Sequence, residues 1–239
     1  MDLLKLIPQL FYDLISRVVP GALAIVVLAA AANASIEGLL TGTLADASPL
    51  KQSALFLGLA FFVAAYFIGH LISPLSDLFH RKLIGKLFRR HFEVLREAIS
   101  AGSEYGDDVR QFLVTELGLP NGADVASISG DRLNNAMFTW QDWLRIKSPD
   151  AGVRAAKVRA EYRMHGQNAV VLIVGLICHL LLATGGHLKP GTAIIVLTLA
   201  GAVVSMWAAA RTYKNFQIMV INQYFSIRGP TRAGSRISV

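Results

Sequence analysis

The chain has 239 residues, 54% of them hydrophobic and 16% charged, with a formal net charge of +7. A soluble domain carries about 25% charged residues, so this composition argues against one and for clustered membrane spans. The single cysteine, Cys178, excludes an internal disulfide and a paired-cysteine metal motif; within an apolar run it reads as a small hydrophobe.

The first seventeen residues carry Leu3, Leu6, Ile7, Leu10, Phe11, Leu14 and Ile15 at helical spacing, with Lys5, Asp13 and Arg17 elsewhere. This predicts an amphipathic helix over 1–17, lying on the inner leaflet or on the protein's own bundle, before Pro20 and Gly21 turn the chain into the bilayer. Acidic residues and the lack of a small-residue cleavage site before the first apolar run speak against a cleaved signal peptide.

Four apolar runs follow: VVPGALAIVVLAAAANA (18–34), SALFLGLAFFVAAYFIGHLIS (53–73), NAVVLIVGLICHLLLATGG (168–186) and TAIIVLTLAGAVVSMWAAA (192–210). Each is near the roughly 20 residues that cross a bilayer. They predict transmembrane hairpins over 18–73 and 168–210, with a cytosolic helical segment over 74–167 between them. The loop 35–52 holds one basic residue, Lys51, whereas the central segment contains RKLIGKLFRRH at 81–91. The C-terminal portion, 211–239, carries Arg211, Lys214, Arg228, Arg232 and Arg236 and no acid. By the distribution of basic residues, both termini and the central segment are expected to face the cytoplasm.

Within 74–167, an apolar stripe continues from the second span and predicts one long helix over 52–100. A short helix is expected over 107–118, ended by Gly118, and another over 131–146. Ser148, Pro149 and Asp150 suit the start of a helix, and no strong breaker follows before 184, so 149–184 reads as one helix. No stretch alternates with period two, so no sheet is expected. The fold class is therefore an all-α membrane protein: four transmembrane helices with a cytosolic helical stalk and cap between spans two and three. Tyr213, Phe216, Tyr224 and Phe225 predict a basic C-terminal helix along the membrane interface, followed by a disordered tail.

Pro74 frees the carbonyl of His70 and predicts a hinge there. His70, Asp77 and His80 fall on one helical face and make a candidate polar or metal site. A polar contact between spans explains His70 more simply, because a metal takes three or four ligands. Phe138, Trp140 and Trp143 form either a surface for a cytosolic protein partner or the core of the cap. Glu161, close to the third span with Arg159, Arg163 and His165 around it, reads either as a lipid-headgroup site or, more simply, as a solvated ion-pair cluster on a long helix. Charges in 74–168 nearly balance, which argues against nucleic acid as a partner. The Gly-rich phosphate loop, HExxH and GxSxG are missing from the sequence, no cofactor is indicated, and an enzyme is disfavoured.

The stretches FYDLISRVVPGA (11–22), YFIGHLIS (66–73), AEYRMHGQNAVVL (160–172) and RTYKNF (211–216) resemble a loose group of bacterial four-span inner-membrane proteins. The resemblance implies a membrane effector or partner in anti-phage defence and carries over no active-site residues. The functional expectation is a non-enzymatic, self-associating protein of the lipid bilayer, acting as anchor, scaffold or signal-coupled effector. An oligomeric channel or transporter is the second class. An enzyme acting on lipid through the face of His70, Asp77 and His80 is the third.

Overall fold

The computed structural model describes residues 7–31, 54–79, 82, 85–87, 114–118, 130–184 and 192–228. Five long helices dominate: α1 (Ile7–Ala31), α2 (Ala54–Phe79), α3 (Gly130–Lys147), α4 (Pro149–Thr184) and α5 (Thr192–Arg228). There is no strand among the described residues. All but α3 are long and apolar enough to cross a bilayer, so the chain is an all-α, multi-pass membrane protein.

Helix α4 follows its sequence signals closely. The Ser148 carbonyl accepts from Gly152 N–H at 2.9 Å, closing the first turn behind Pro149, while Ser148 N–H donates to the Leu144 carbonyl at 2.8 Å. Pro149 sits at the first helical position, where its missing N–H has no partner to lose. Gly118 closes the turn 114–118 with φ of 63°, and its N–H donates to the Thr115 carbonyl at 3.0 Å. Only glycine adopts that left-handed backbone without a Cβ penalty.

Two expectations change. The helix expected over 1–17 and the first span form one element from Ile7 onward, running through Pro20 and Gly21 to Ala31. Pro20 removes one backbone donor, which membrane helices tolerate where neighbouring elements re-satisfy the freed group. Gly21 serves close packing rather than a turn, as the α1–α2 contact shows. The second change is in α5, which continues past 211 to Arg228, because no proline or glycine interrupts it after Gly201. The helix expected over 52–100 is described as α2 and a single turn, Gly85–Leu87. Its remainder over 88–113, the first part of 107–118, residues 1–6 and the tail beyond Arg228 lie outside the described residues.

The chain divides into two compact units. The apolar bundle comprises Leu10–Lys86 and Ala160–Ala209; the second unit comprises Met1–Gln9, Leu87–Arg159 and Ala210–Val239. In the bundle, α1 and α2 meet at small residues. A β-carbon on Gly21 would fall on the Ala65 carbonyl, and one on Gly69 would fall on the Arg17 carbonyl. The pairs Arg17/Gly21 and Ala65/Gly69 are each spaced i, i+4, so each helix presents a groove where the other's backbone lies. This is the close approach that small residues permit between membrane helices. Gly175 of α4 receives the side chain of Val27 of α1, and Gly201 of α5 lies against the side chain of Leu172 of α4. Outward faces remain apolar: Leu59, Val63 and Phe67 on α2, and Leu197, Val204 and Trp207 on α5, are exposed. Exposed apolar area on this scale suits lipid, not water.

The second unit has an aromatic core. Leu133, Met137, Trp140 and Leu144 repeat along one face of α3 and are buried. They share that core with Tyr213, Phe216, Val220, Ile221 and Tyr224 of α5, and with Ala151 and Ala155 of α4. Gly152 permits the tight α3–α4 connection, because a β-carbon there would lie 2.6 Å from Arg145 Cα.

Candidate functional site

In the apolar bundle, charged side chains of α1 and α4 and a histidine of α2 meet where the apolar portions of those helices end. Asp13 of α1 is the centre. Its Oδ1 accepts from Arg163 Nη2 of α4 at 2.7 Å, and its Oδ2 lies 3.2 Å from Arg17 Nε, one turn on in α1. One carboxylate is thus shared by two guanidinium groups, and the trio keeps a net positive charge. The bonds are charge-assisted and geometrically specific, but all three side chains keep partial exposure.

Arg17 also reaches α2, where it donates through Nη1 to Nδ1 of His70. A guanidinium has no acceptor, so Nδ1 is the acceptor and the ring proton resides on Nε2. The ring stacks on Tyr66 with centroids 6.5 Å apart, and Arg17 Cζ lies 5.9 Å from the Tyr66 centroid. His70 is therefore a polar contact between spans. Pro74 lies inside α2, which continues to Phe79, and both Pro74 and Asp77 are exposed. His80 lies outside the described residues. Among the described residues no group of three or more His, Cys, Asp or Glu is placed to hold a metal ion.

Further buried polar atoms lie along α4. Gln167, one turn beyond Arg163, is only 2% exposed. Arg163 Nε, Gln167 Oε1 and Asn168 Oδ1 are buried without a hydrogen-bond partner among the described residues, and so is His179 Nε2 deeper in the same helix. Asp13, Arg17, Gln167 and Asn168 were not singled out by the sequence. Arg163 entered the sequence reading only as a member of the cluster around Glu161. The available signal was the opposite-charge pair Asp13 and Arg17 at i, i+4, directly ahead of an apolar run.

The aromatic residues of α3 lie within the second unit. Trp140 is 4% exposed and stacks on Tyr224 with centroids 5.2 Å apart. Trp143 meets the same ring edge-on at 4.9 Å, and Phe138 lies 6.4 Å from Phe216. Arg159 covers Phe138 at 4.4 Å and donates to Gln141 Oε1 at 3.1 Å. Trp140 is thus core, while Phe138 and Trp143 are half-buried. Of the basic residues expected at a membrane surface, Arg211 is exposed and Lys214 half-buried. Arg232 and Arg236 lie outside the described residues.

Arg228 has a specific partner set. Its Nε lies 3.4 Å from Glu116 Oε1, and its Nη1 donates to the Tyr224 hydroxyl at 2.6 Å, which itself donates to Glu116 Oε2 at 2.8 Å. This triad ties the end of α5 to the turn 114–118. Tyr224→Phe removes both hydroxyl bonds while keeping the ring, and should destabilise this unit by about 1–2 kcal/mol in chemical unfolding. A midpoint equal to that of the unsubstituted protein would show that the hydroxyl bonds contribute nothing.

Among the described residues, these two clusters and the four helices long and apolar enough to span a membrane are the features that bear on function, and no family model, curated protein or solved structure matches the chain.

Proposed function

We propose that the chain is a non-enzymatic protein of a bacterial inner membrane, self-associating, that serves as a signal-coupled effector or anchor with its termini in the cytoplasm. The observation that carries this reading is the continuity of α4 and α5. With 36 and 37 residues, they extend about 54–56 Å, well beyond the ~30 Å of hydrocarbon. Each contributes one part to the apolar bundle and another to the aromatic-cored unit. A cytosolic partner that alters the packing of α3 on α5 thus acts on a helix that also packs among the spans. Such a helix, common to both units, gives a route for coupling between them.

The orientation is supported by the basic run 81–91 and the basic, acid-free segment 211–239. Self-association is supported by Gly58, which is exposed on α2 with open space where a β-carbon would stand, so a second helix can approach closely there. The reading is tested by the mass of the full chain in nanodiscs, from light scattering corrected for lipid. A single closed oligomer is expected; a clean monomer removes self-association. A reporter active only outside the cytoplasm, fused after Arg228, should stay silent, and activity would reverse the orientation.

A further inference from the structure

The Asp13 cluster has more donors than its carboxylate takes up. Arg163 spends Nη2 on Asp13, yet its Nε is buried with no partner among the described residues. The Gln167 amide lies on the same face of α4 one turn away, buried and with Oε1 likewise unpartnered. A side-chain amide presents either its oxygen or its NH2 after a half-turn, so Gln167 can donate as well as accept. Asn168, the next residue, is half-buried with its Oδ1 also unpartnered among the described residues. On α2, His70 gives up Nδ1 to Arg17, which leaves Nε2–H as a donor on an exposed ring. The local charge is positive, with two guanidinium groups on one carboxylate.

The depth of the cluster is equally informative. Asn168 begins the apolar run of α4, Arg17 precedes that of α1, and His70 lies near the end of that of α2. In a four-span protein this level is that of the phospholipid phosphates of one leaflet. Buried polar groups left unpaired at such a level are costly, and so are normally matched by a ligand or ordered water. An Asp–Arg pair that merely fastened α1 to α4 would not explain a buried Arg163 Nε with a buried amide one turn away.

We infer that Arg17, Arg163 and Gln167, with His70 Nε2–H at the rim, form a binding site for a phosphate group. The phosphate is supplied by the phosphodiester of an anionic phospholipid or by free phosphate. The arginine forks suit phosphate oxygens, and the amide adds a neutral donor. The site rests on the four helices lying in a bilayer.

The test uses the full chain in three kinds of nanodisc: phosphatidylcholine alone, phosphatidylcholine with phosphatidylglycerol, and phosphatidylcholine with inorganic phosphate in the buffer. Retained lipid is read by native mass spectrometry and stability by the thermal midpoint. The unsubstituted protein should retain phosphatidylglycerol over phosphatidylcholine about tenfold, as expected for charge-assisted bonds. Arg163→Gln and Gln167→Leu should each bring the preference near unity. If inorganic phosphate alone raises the midpoint and phosphatidylglycerol adds nothing, the site stands with free phosphate as its source. Equal retention of both lipids with no effect of phosphate overturns the inference. Arg163→Gln also strips a partner from Asp13, whereas Gln167→Leu breaks no ion pair. A Gln167→Leu protein with a raised midpoint and an intact lipid preference would therefore show the buried amide to be structural only, which equally overturns the site. Failure of the bilayer reading would look different, as a chain that does not enter nanodiscs at all.

Discussion

Gly69→Leu should pull α1 away from α2 and lower the thermal midpoint in detergent by roughly 10 °C. The reason lies in the backbones. At Gly69 a new side chain would meet the carbonyl of Arg17, not the tip of a movable side chain, so the helices themselves must part. Overpacking a well-filled contact costs about 1–3 kcal/mol, and a backbone obstacle lies at or above the upper end. For a chain of this size each kcal/mol is about 2–4 °C. The separation also removes the reach of Arg17 to His70, so the polar network should fail along with the packing. Leu71, exposed on the same helix, supplies the control. Leu71→Ala should move the midpoint by under about 2 °C. Equal midpoints for the two variants would mean that α1 and α2 do not cross at Gly69.

Trp140→Ala should unfold the aromatic-cored unit while leaving the apolar bundle helical. The indole is buried, stacked on Tyr224, and lies at the middle of the α3 stripe. Truncating a core tryptophan costs about 3–5 kcal/mol. A small helical unit holds only a fraction of a domain's 5–15 kcal/mol, so a loss of this size is decisive locally. Limited proteolysis should cut within 130–147 in the variant and not in the parent, while the circular dichroism of the membrane helices persists. Trp207, exposed on the lipid-suited face of α5, makes the comparison: Trp207→Ala should cost under about 1 kcal/mol. Indistinguishable proteolysis of the two variants would remove Trp140 from the core.

Much of the fold is legible in the residues because it depends on local periodicity. Helix α4 begins at Pro149 and ends at Thr184, where Ser148-Pro149-Asp150 and the lack of interior breakers place it. Gly118 ends its turn as expected, since a left-handed residue at a helix end is a local requirement. What escapes is the identity of the covering partner. The stripe Tyr213, Phe216, Val220 and Tyr224 is visible in the sequence, but an apolar face reads alike whether lipid or another helix covers it. Here α3 contributes to the same core, and Trp140 lies on it. The Asp13 cluster was hidden for a related reason. Its members lie 150 residues apart, from Asp13 to Arg163, in stretches that each look like an ordinary membrane-helix flank. The resemblance-bearing stretches 11–22, 66–73 and 160–172 hold Asp13, Arg17, His70, Arg163 and Gln167, yet only the tertiary fold brings them together.

Helix α5 changes solvent along its length, and this constrains the order in which the protein can be made. Its first half presents Leu197, Val203 and Trp207 outward, while its second half buries Tyr213, Phe216 and Tyr224. Tyr224 bonds to Glu116, 108 residues earlier in the chain. On the ribosome, the turn 114–118 and α3 emerge long before α5 does. The two hydrophobic stretches of α4 and α5 must be handed to the membrane in between. Until then the α3 stripe of Leu133, Met137, Trp140 and Leu144 has no α5 to cover it. Assembly of this unit is therefore a late event, gated by insertion of the last hairpin.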